Sequence, residues 1–402
     1  MTRDQTVKAP DWMRWPETVT LMGCFGDAGI EARFAGGCVR DALLSRTVND
    51  VDLATSAAPE RVVKALEASG IKVLKIGIAH GTVTAVLRPR QFEITTLRVD
   101  VETDGRWAKV AFTDDWQADA ERRDFTMNAL FMDAAGRVID FVGGLADLEA
   151  GRVRFVGDPA ARIEEDYLRI LRFFRFHADY GRGAMDVSGL AAAAAAVAGI
   201  AQLSGERVRQ ELLRLLSAAD PISVLTKMAD VGVLDAISEG LDGRDRLAGL
   251  LRVAPEAAAI LRLSALLVDD SAVRIAAAER FKLSNAERQQ ILDVLAPDLP
   301  DNATLVRRSV YRHGNQATAD RLHLAWAEAP EDMRFAALTR LADQWQAPGF
   351  VLKGRHLRDL GEPPGPRFGA LLRSVETWWI DGDFQADEAA CLKKLTEIRD
   401  RN

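Results

Sequence analysis

Asp50 and Asp52 stand two residues apart in Asp50-Val51-Asp52-Leu53-Ala54-Thr55, a segment whose polar and apolar residues alternate with period two. On a strand, residues i and i+2 share a face, so both carboxylates aim at one place. Carboxylate oxygens ligate hard divalent cations. Two such ions about 4 Å apart activate an attacking hydroxyl and stabilise the leaving oxygen of a phosphoryl displacement. A dozen residues upstream, Gly36-Gly37-Cys38-Val39-Arg40-Asp41 places two glycines at a strand-to-helix turn. Glycines there let backbone N–H groups approach a phosphate, the helix start favours its negative charge, and Arg40 adds a cation that does not deprotonate. Glu93, in Gln91-Phe92-Glu93-Ile94-Thr95-Thr96-Leu97-Arg98, shares a strand face with Thr95, opposite Phe92 and Ile94, and is the third acid. Taken singly, these are a surface acid pair, a turn and a solvated strand residue; together and in this order they point to phosphoryl chemistry.

The elements that must position them read as mixed α/β over roughly the first 150 residues. Residues 31–35 form a strand running into the glycine pair, and Val39, Leu43 and Leu44 have helical spacing. Pro59 opens a further helix with Val62, Val63 and Leu66 inward. Strands 82–87 and 91–97 flank Arg88-Pro89-Arg90 as a hairpin, and strands 129–133 and 137–141 form a second. After Gly151 helical periodicity takes over. Asp158-Pro159 caps a helix that Gly181 stops, Ser204-Gly205-Glu206-Arg207 starts another, and Pro-containing breaks fall near 221, 297–300 and 363–366.

Composition excludes several classes. A chain of 402 residues, 48% hydrophobic and 28% charged, is expected to pack as two to four units. No stretch approaches the roughly 20 apolar residues of a membrane span, the Ala-rich run at 190–201 being too short, so no membrane partner and a cytoplasmic location are expected. Cys24, Cys38 and Cys391 have no paired spacing, and the five histidines are scattered, which argues against a disulfide framework, a zinc site or a His-based metal centre. The net charge of −7 argues against tight, indiscriminate nucleic-acid binding, although a local basic surface suffices for phosphates.

Six segments occur in a telling order: Gly-Gly-Cys-Val-Arg-Asp, Asp-Val-Asp, Gly77-Ile78-Ala79-His80-Gly81-Thr82, Phe-Glu-Ile-Thr-Thr-Leu-Arg, Arg122-Arg123-Asp124-Phe125-Thr126-Met127-Asn128, and Glu165-Asp166-Tyr167-Leu168-Arg169-Ile170-Leu171-Arg172. This order, over residues 31 to about 215, resembles the class II CCA-adding enzymes and their close relatives, the bacterial poly(A) polymerases. The resemblance implies an α/β nucleotidyltransferase head (1–150) followed by an all-α neck (151–220), body (221–300) and tail (301–402). It implies addition of C, C and A to the 3′ end of tRNA from CTP and ATP, with Mg²⁺ held by Asp50, Asp52 and Glu93. Gly36, Gly37, Arg40, Asp41 and Arg123 would hold the incoming nucleotide, Asp124 and Asn128 would support its pocket, and residues 100–116 would form a mobile loop that helps switch from C to A. Glu206, Arg207 and Glu211 fall in the segment expected to brace the neck helices.

Within that frame Asp166 and Arg169, at i and i+3, are expected side by side on one helix. An Asp oxygen accepts from an exocyclic amino group, and an Arg N–H donates to an unprotonated ring nitrogen. Cytosine and adenine share that edge, whereas guanine and uracil present the inverse pattern. Arg172 and Arg175 continue the spacing and are nucleotide-binding candidates, whereas Phe173, Phe174 and Phe176 read as core. Lys353, Arg355 and Arg358, beside a Pro/Gly turn, resemble the tail segment that meets the outer part of tRNA. Poly(A) synthesis, CC- or A-restricted addition and a non-catalytic tRNA-binding role are the alternatives; no protein partner is evident.

Overall fold

The computed structural model describes all residues except 1–4, 7–8, 105–106, 364 and 402, and side chains are not described at 1–8 and 100–110. The chain divides into two compact units, 1–238 and 239–402, a coarser division than the expected head, neck, body and tail.

The first unit is built on an eight-stranded mixed sheet, in the order β1 (Gln5–Thr6), β10 (Arg137–Asp140), β9 (Leu130–Met132), β2 (Ala32–Ala35), β3 (Val51–Thr55), β6 (Arg90–Thr96), β5 (Thr82–Leu87) and β4 (Lys72–Leu74). Every pairing is antiparallel except β3 with β6, which run parallel with Asp52 opposite Glu93. In a parallel pair, residues in register point to the same face about 5 Å apart, so this one pairing sets two acids side by side. Alternation does the rest: Val51, Leu53, Phe92 and Ile94 are all buried beneath it. Both hairpins read from the sequence are present, as β5–β6 and β9–β10.

Helices α1 (Pro16–Asp27), α2 (Gly37–Leu43), α3 (Pro59–Ala68), α4 (Trp116–Glu121) and α5 (Gly144–Ala150) complete the head. Residues 100–116, expected as a loop, are largely a two-stranded hairpin, β7 (Arg98–Asp104) with β8 (Trp107–Phe112), outside the main sheet; Gly105, at its tip, lies outside the described residues.

The single helix expected from Asp158 to Gly181 is two, α6 (Pro159–Glu165) and α7 (Leu168–Tyr180). Asp158 caps the first by accepting from the Ala161 amide at 3.0 Å. Asp166 leaves the helix with φ −159° and ψ 106°, and its Oδ1 accepts the Leu168 amide at 3.1 Å. An Asp side chain that satisfies backbone N–H groups competes with the helix, which explains the break. Phe173, Phe174 and Phe176 are buried; Phe173 packs on Phe125 and Phe155 and Phe176 on Phe125 at ring separations of 5.0 to 6.5 Å, and Phe174 meets Phe173 edge-on at 5.5 Å. Helices α8 (Val187–Ala195) and α9 (Gly205–Leu216) follow, α9 packing on α7.

The second unit contains no strand among its described residues. Its helices close over two apolar clusters, one around Val306, Leu322 and Ala342 and one around Leu357, Val375 and Trp379. The fully buried Arg274 donates to the carbonyls of Val268, Ile291, Ser264 and Leu267.

Candidate active site

A cleft of about 640 Å³ in the first unit is lined by Gly36, Gly37, Arg40, Asp52, Glu93, Arg123, Asp124, Asn128, Asp166, Arg169, Arg172 and Arg175. The ends of β2, β3 and β6, the turn after α4 and the break between α6 and α7 therefore meet in one place. The residues read from widely separated sequence motifs converge there.

Gly36 turns the chain from β2 into α2 with φ +69°, a left-handed conformation that favours glycine. A side chain there would also approach Arg123 Nη1 at 3.1 Å. Cys38 is buried beneath the turn, and burial pushes its thiol up to about 12, far from a usable nucleophile. Arg40 is buried. Its Nη1 donates to Asn128 Oδ1 at 2.6 Å, and its Nε and Nη2 donate to the two oxygens of Asp41 at 2.9 Å. Asp41 is not among the residues that line the cleft; its carboxylate holds Arg40.

Most of the arginine wall is paired. Arg123 donates Nε and Nη2 to Asp119 Oδ2 at 3.1 and 3.0 Å, and Nη1 to the Asn128 carbonyl at 3.1 Å. Arg172 grips Asp124, with Nε at 2.9 Å. Burial raises the Asp124 carboxyl, but Arg172 and the Asn128 amide, at 3.0 Å, more than offset it and hold it below the usual range. Arg175 donates to Glu211 and lies 3.3 Å from Asp179. Three arginines, Arg40, Arg172 and Arg175, lie within 5.3 Å of the Phe176 ring centre.

Asp166 and Arg169 both line the cleft but not as an i,i+3 pair on one helix, because the chain breaks between them. Asp166 Oδ2 accepts Arg207 Nη2 of α9 at 2.6 Å. Arg169 donates to Glu165, four residues back, and to the Arg162 carbonyl at 2.8 Å. Each is anchored by a separate partner, leaving the two side by side in the wall without neutralising each other. Arg207 and Glu211 thus tie α9 to the α6–α7 break and to α7.

The acid edge is different. Asp52 and Glu93 line the cleft in register, but β3 starts at Val51, so Asp50 lies one residue outside the strand. It is exposed and lines a second cavity of about 320 Å³ with Trp15, Asn49 and Arg90. The strand face expected for Asp50 and Asp52 therefore holds for Asp52 with Glu93, and Asp50 lies just beyond the start of β3. Burial, then the charges of Glu93 and Asp50, raise Asp52 to about 6 against a weaker pull from Arg123. Among the described residues no ion pair joins any of the three acids to a cation, and no three acids, histidines or cysteines are gathered closely enough to hold a metal ion. The uncompensated charge and the all-oxygen donor set nevertheless fit a hard divalent cation.

Several cleft residues had not been singled out: Arg98, Arg122 and Arg214, and the anchors Asp119 and Glu165, whereas Phe176, read as core, is buried and also lines the cleft. The i−4 spacing of Asp119 from Arg123 and of Glu165 from Arg169 is the signal that identifies such anchors. In the second unit, Lys353, Arg355 and Arg358 are exposed on or beside the short helix Gly354–Asp359, whose His356 and Leu357 turn inward.

Known proteins place this arrangement. A family model described as "Poly A polymerase head domain" matches residues 32–154, and "Probable RNA and SrmB- binding site of polymerase A" matches 189–243. The mitochondrial CCA tRNA nucleotidyltransferase 1 of Mus musculus is 35% identical over 393 residues, covering 94% of this chain and 89% of that protein. The chain belongs to the CCA-adding tRNA nucleotidyltransferase family. The CCA-adding enzyme of Streptococcus gordonii is 32% identical over 92% of this chain and 94% of its own length. Among solved structures, the Bacillus stearothermophilus CCA-adding enzyme in complex with CTP superposes with a TM-score of 0.77 at 26% identity, covering 98% of each chain. Nucleotidyltransferases of this family generally use a divalent metal. Among the described residues no helix is long and apolar enough to cross a membrane.

Proposed function

We propose that this chain adds C, C and A in turn to the 3′ end of tRNA, taking CTP and ATP and releasing pyrophosphate. The observation that carries the reading is the cleft itself, which sets uncompensated carboxylates opposite a wall of anchored arginines. A triphosphate is matched by Arg40, Arg98, Arg122, Arg123 and Arg172, which are fixed before it arrives, so little ordering is lost on binding. The tRNA 3′-hydroxyl attacks the α-phosphorus, the new P–O bond forms as the bond to the β-phosphate breaks, and the proton is lost to solvent. Asp52 and Glu93, with the exposed Asp50 turned inward, would hold Mg²⁺, which activates the hydroxyl and screens the triphosphate. Asp166 offers an acceptor and Arg169 a donor to the shared Watson–Crick edge of cytosine and adenine, and their separate anchors keep each in place. Gly36, Gly37 and Asn128 shape the pocket around the sugar and phosphates, Asp41, Asp124 and Arg175 hold its arginines, and Lys353, Arg355 and Arg358 contact the outer tRNA. The cytoplasmic location expected from the sequence is kept as part of this proposal, although the mouse relative is named as mitochondrial.

The test uses a tRNA ending just before CCA. CTP alone should extend it by two residues, CTP with ATP by three, and ATP alone by none. A long homopolymer from ATP alone would replace the reading with poly(A) synthesis, and arrest after C-C in the presence of ATP would restrict it to CC addition.

A further inference from the structure

Asp119 is the least exposed acid in contact with the cleft arginines, its side chain 2% exposed. It rides on α4, which is pinned to the sheet core by Trp116. That ring meets Phe131 edge-on at 5.1 Å and carries the Arg33 guanidinium at 4.0 Å. The Asp115 side chain caps the same helix, accepting the Gln117 and Ala118 amides at 2.8 and 3.2 Å. The anchor is therefore rigid, and its two oxygens serve two different partners. Oδ2 takes the Nε and Nη2 of Arg123 at 3.1 and 3.0 Å. Oδ1 takes the Nε and Nη2 of Arg122 at 2.9 and 2.7 Å and also the Arg98 backbone N–H at 3.3 Å. Arg122 Nε in turn donates to the Arg98 carbonyl at 2.9 Å. Arg98 is the first residue of β7, so both peptide groups at the root of the β7–β8 hairpin end on this cluster. Two arginines on one buried carboxylate keep a net positive charge towards the cleft, and losing that carboxylate would leave two cations in mutual repulsion.

We infer that Asp119 is the positioning residue through which the β7–β8 hairpin sets the place of Arg123 in the cleft. The inference rests on the cleft being the nucleotide site. Displacement of the hairpin root at Arg98 is passed through Oδ1 and Arg122 to the same carboxylate that fixes Arg123, with no other described element in the chain of contacts. The hairpin thereby acts on the triphosphate side of the pocket without touching the base.

The experiment is a double-mutant cycle on the full chain. Asp119→Asn, replacement of residues 102–108 by two glycines, and their combination are compared with wild type in single-nucleotide addition to tRNA, measuring kcat/KM for CTP and ATP. Each single change should lower kcat/KM for both CTP and ATP roughly tenfold, and the combination should lie within about twofold of the worse single variant. The KM for tRNA should be unchanged, which a general packing defect would not spare. Independent losses that multiply in the combination, or wild-type kinetics for either nucleotide in either single variant, would overturn the inference. Should Asp119→Asn unfold, Arg122→Gln removes the Arg122 branch of the link, leaving Asp119 on Arg123 and on the Arg98 N–H, and a smaller loss with the same non-additivity with the shortened hairpin is required of it. Failure of the wild-type protein to add either nucleotide would instead defeat the functional reading, a separate result.

Discussion

The two walls of the cleft are built on opposite electrostatic rules. On the arginine wall nearly every charge is answered: Arg123 by Asp119, Arg172 by Asp124, Arg175 by Glu211, Arg169 by Glu165 and Arg207 by Asp166. At the acid edge Asp52 and Glu93 stand in register, with Asp50 just beyond the strand and no cation paired to any of them among the described residues, and burial, then the charges of Glu93 and Asp50, raise Asp52 to about 6. A folded chain gains nothing from like charges set in register on adjacent strands. The difference teaches that the first wall is finished by the protein, whereas the second is left to be finished by what binds there.

The largest effect should come from the unfinished wall. Asp52→Asn is expected to lower addition of both C and A on the order of 10³-fold, as loss of a group that stabilises transition-state charge does. It should do so without loss of stability. The raised carboxyl lends stability that is fully present below 3.8 and lost as pH rises through about 6. At pH 8 without divalent ions, the variant should therefore unfold at or above the wild-type temperature. Calorimetry alongside turnover checks both halves, and a variant that is active or clearly destabilised breaks the comparison.

The finished wall should respond the other way. Glu211→Ala leaves Arg175, itself 7% exposed, with only Asp179 at 3.3 Å, and should cost about 3 kcal/mol of stability, the scale of an orphaned buried charge. Denaturant unfolding reads this directly; an unchanged midpoint would mean that the pair is not a structural strut.

Asp166→Ala sharpens the contrast within the finished wall, where one residue is both anchored and exposed to ligand. Selectivity for CTP and ATP over UTP and GTP should fall about ten- to a hundredfold, equivalent to roughly 1–3 kcal/mol for one lost base-edge contact. Wild-type preference across the four triphosphates would place base reading elsewhere. The smallest effect is expected away from the cleft. Neutralising Lys353, Arg355 and Arg358 should raise the KM for tRNA and flatten its salt dependence by about 0.7–0.9 log units per lost phosphate contact, leaving CTP untouched. An unaltered salt slope would remove the tail from the RNA surface.

Much of this was legible from residue order alone. Strand alternation placed Glu93 and Thr95 opposite Phe92 and Ile94, and the glycine pair marked the β2–α2 turn, because period and turn chemistry are local. The α6–α7 break was not legible, since Asp166 ends the helix with its own side chain and nothing like proline or glycine announces it. Asp50 was placed on the strand because alternation cannot say where register stops; pairing ends at Val51 opposite Phe92. The hairpin at 98–112 escaped because a short, polar, glycine-containing run between two structured segments reads locally as a loop. The anchors Asp119 and Glu165 were missed because i,i+4 pairs are common on solvated helices, and only the fold shows that these hold cleft arginines.

The account is tested most directly by solving this protein bound to CTP and Mg²⁺ and comparing it with the protein alone. The account predicts metal density between Asp52 and Glu93 with Asp50 drawn in, and the ion pairs of Arg123, Arg172, Arg175 and Arg207 unchanged. Metal bound away from these carboxylates, or arginines that exchange their acidic partners for the triphosphate, would contradict it.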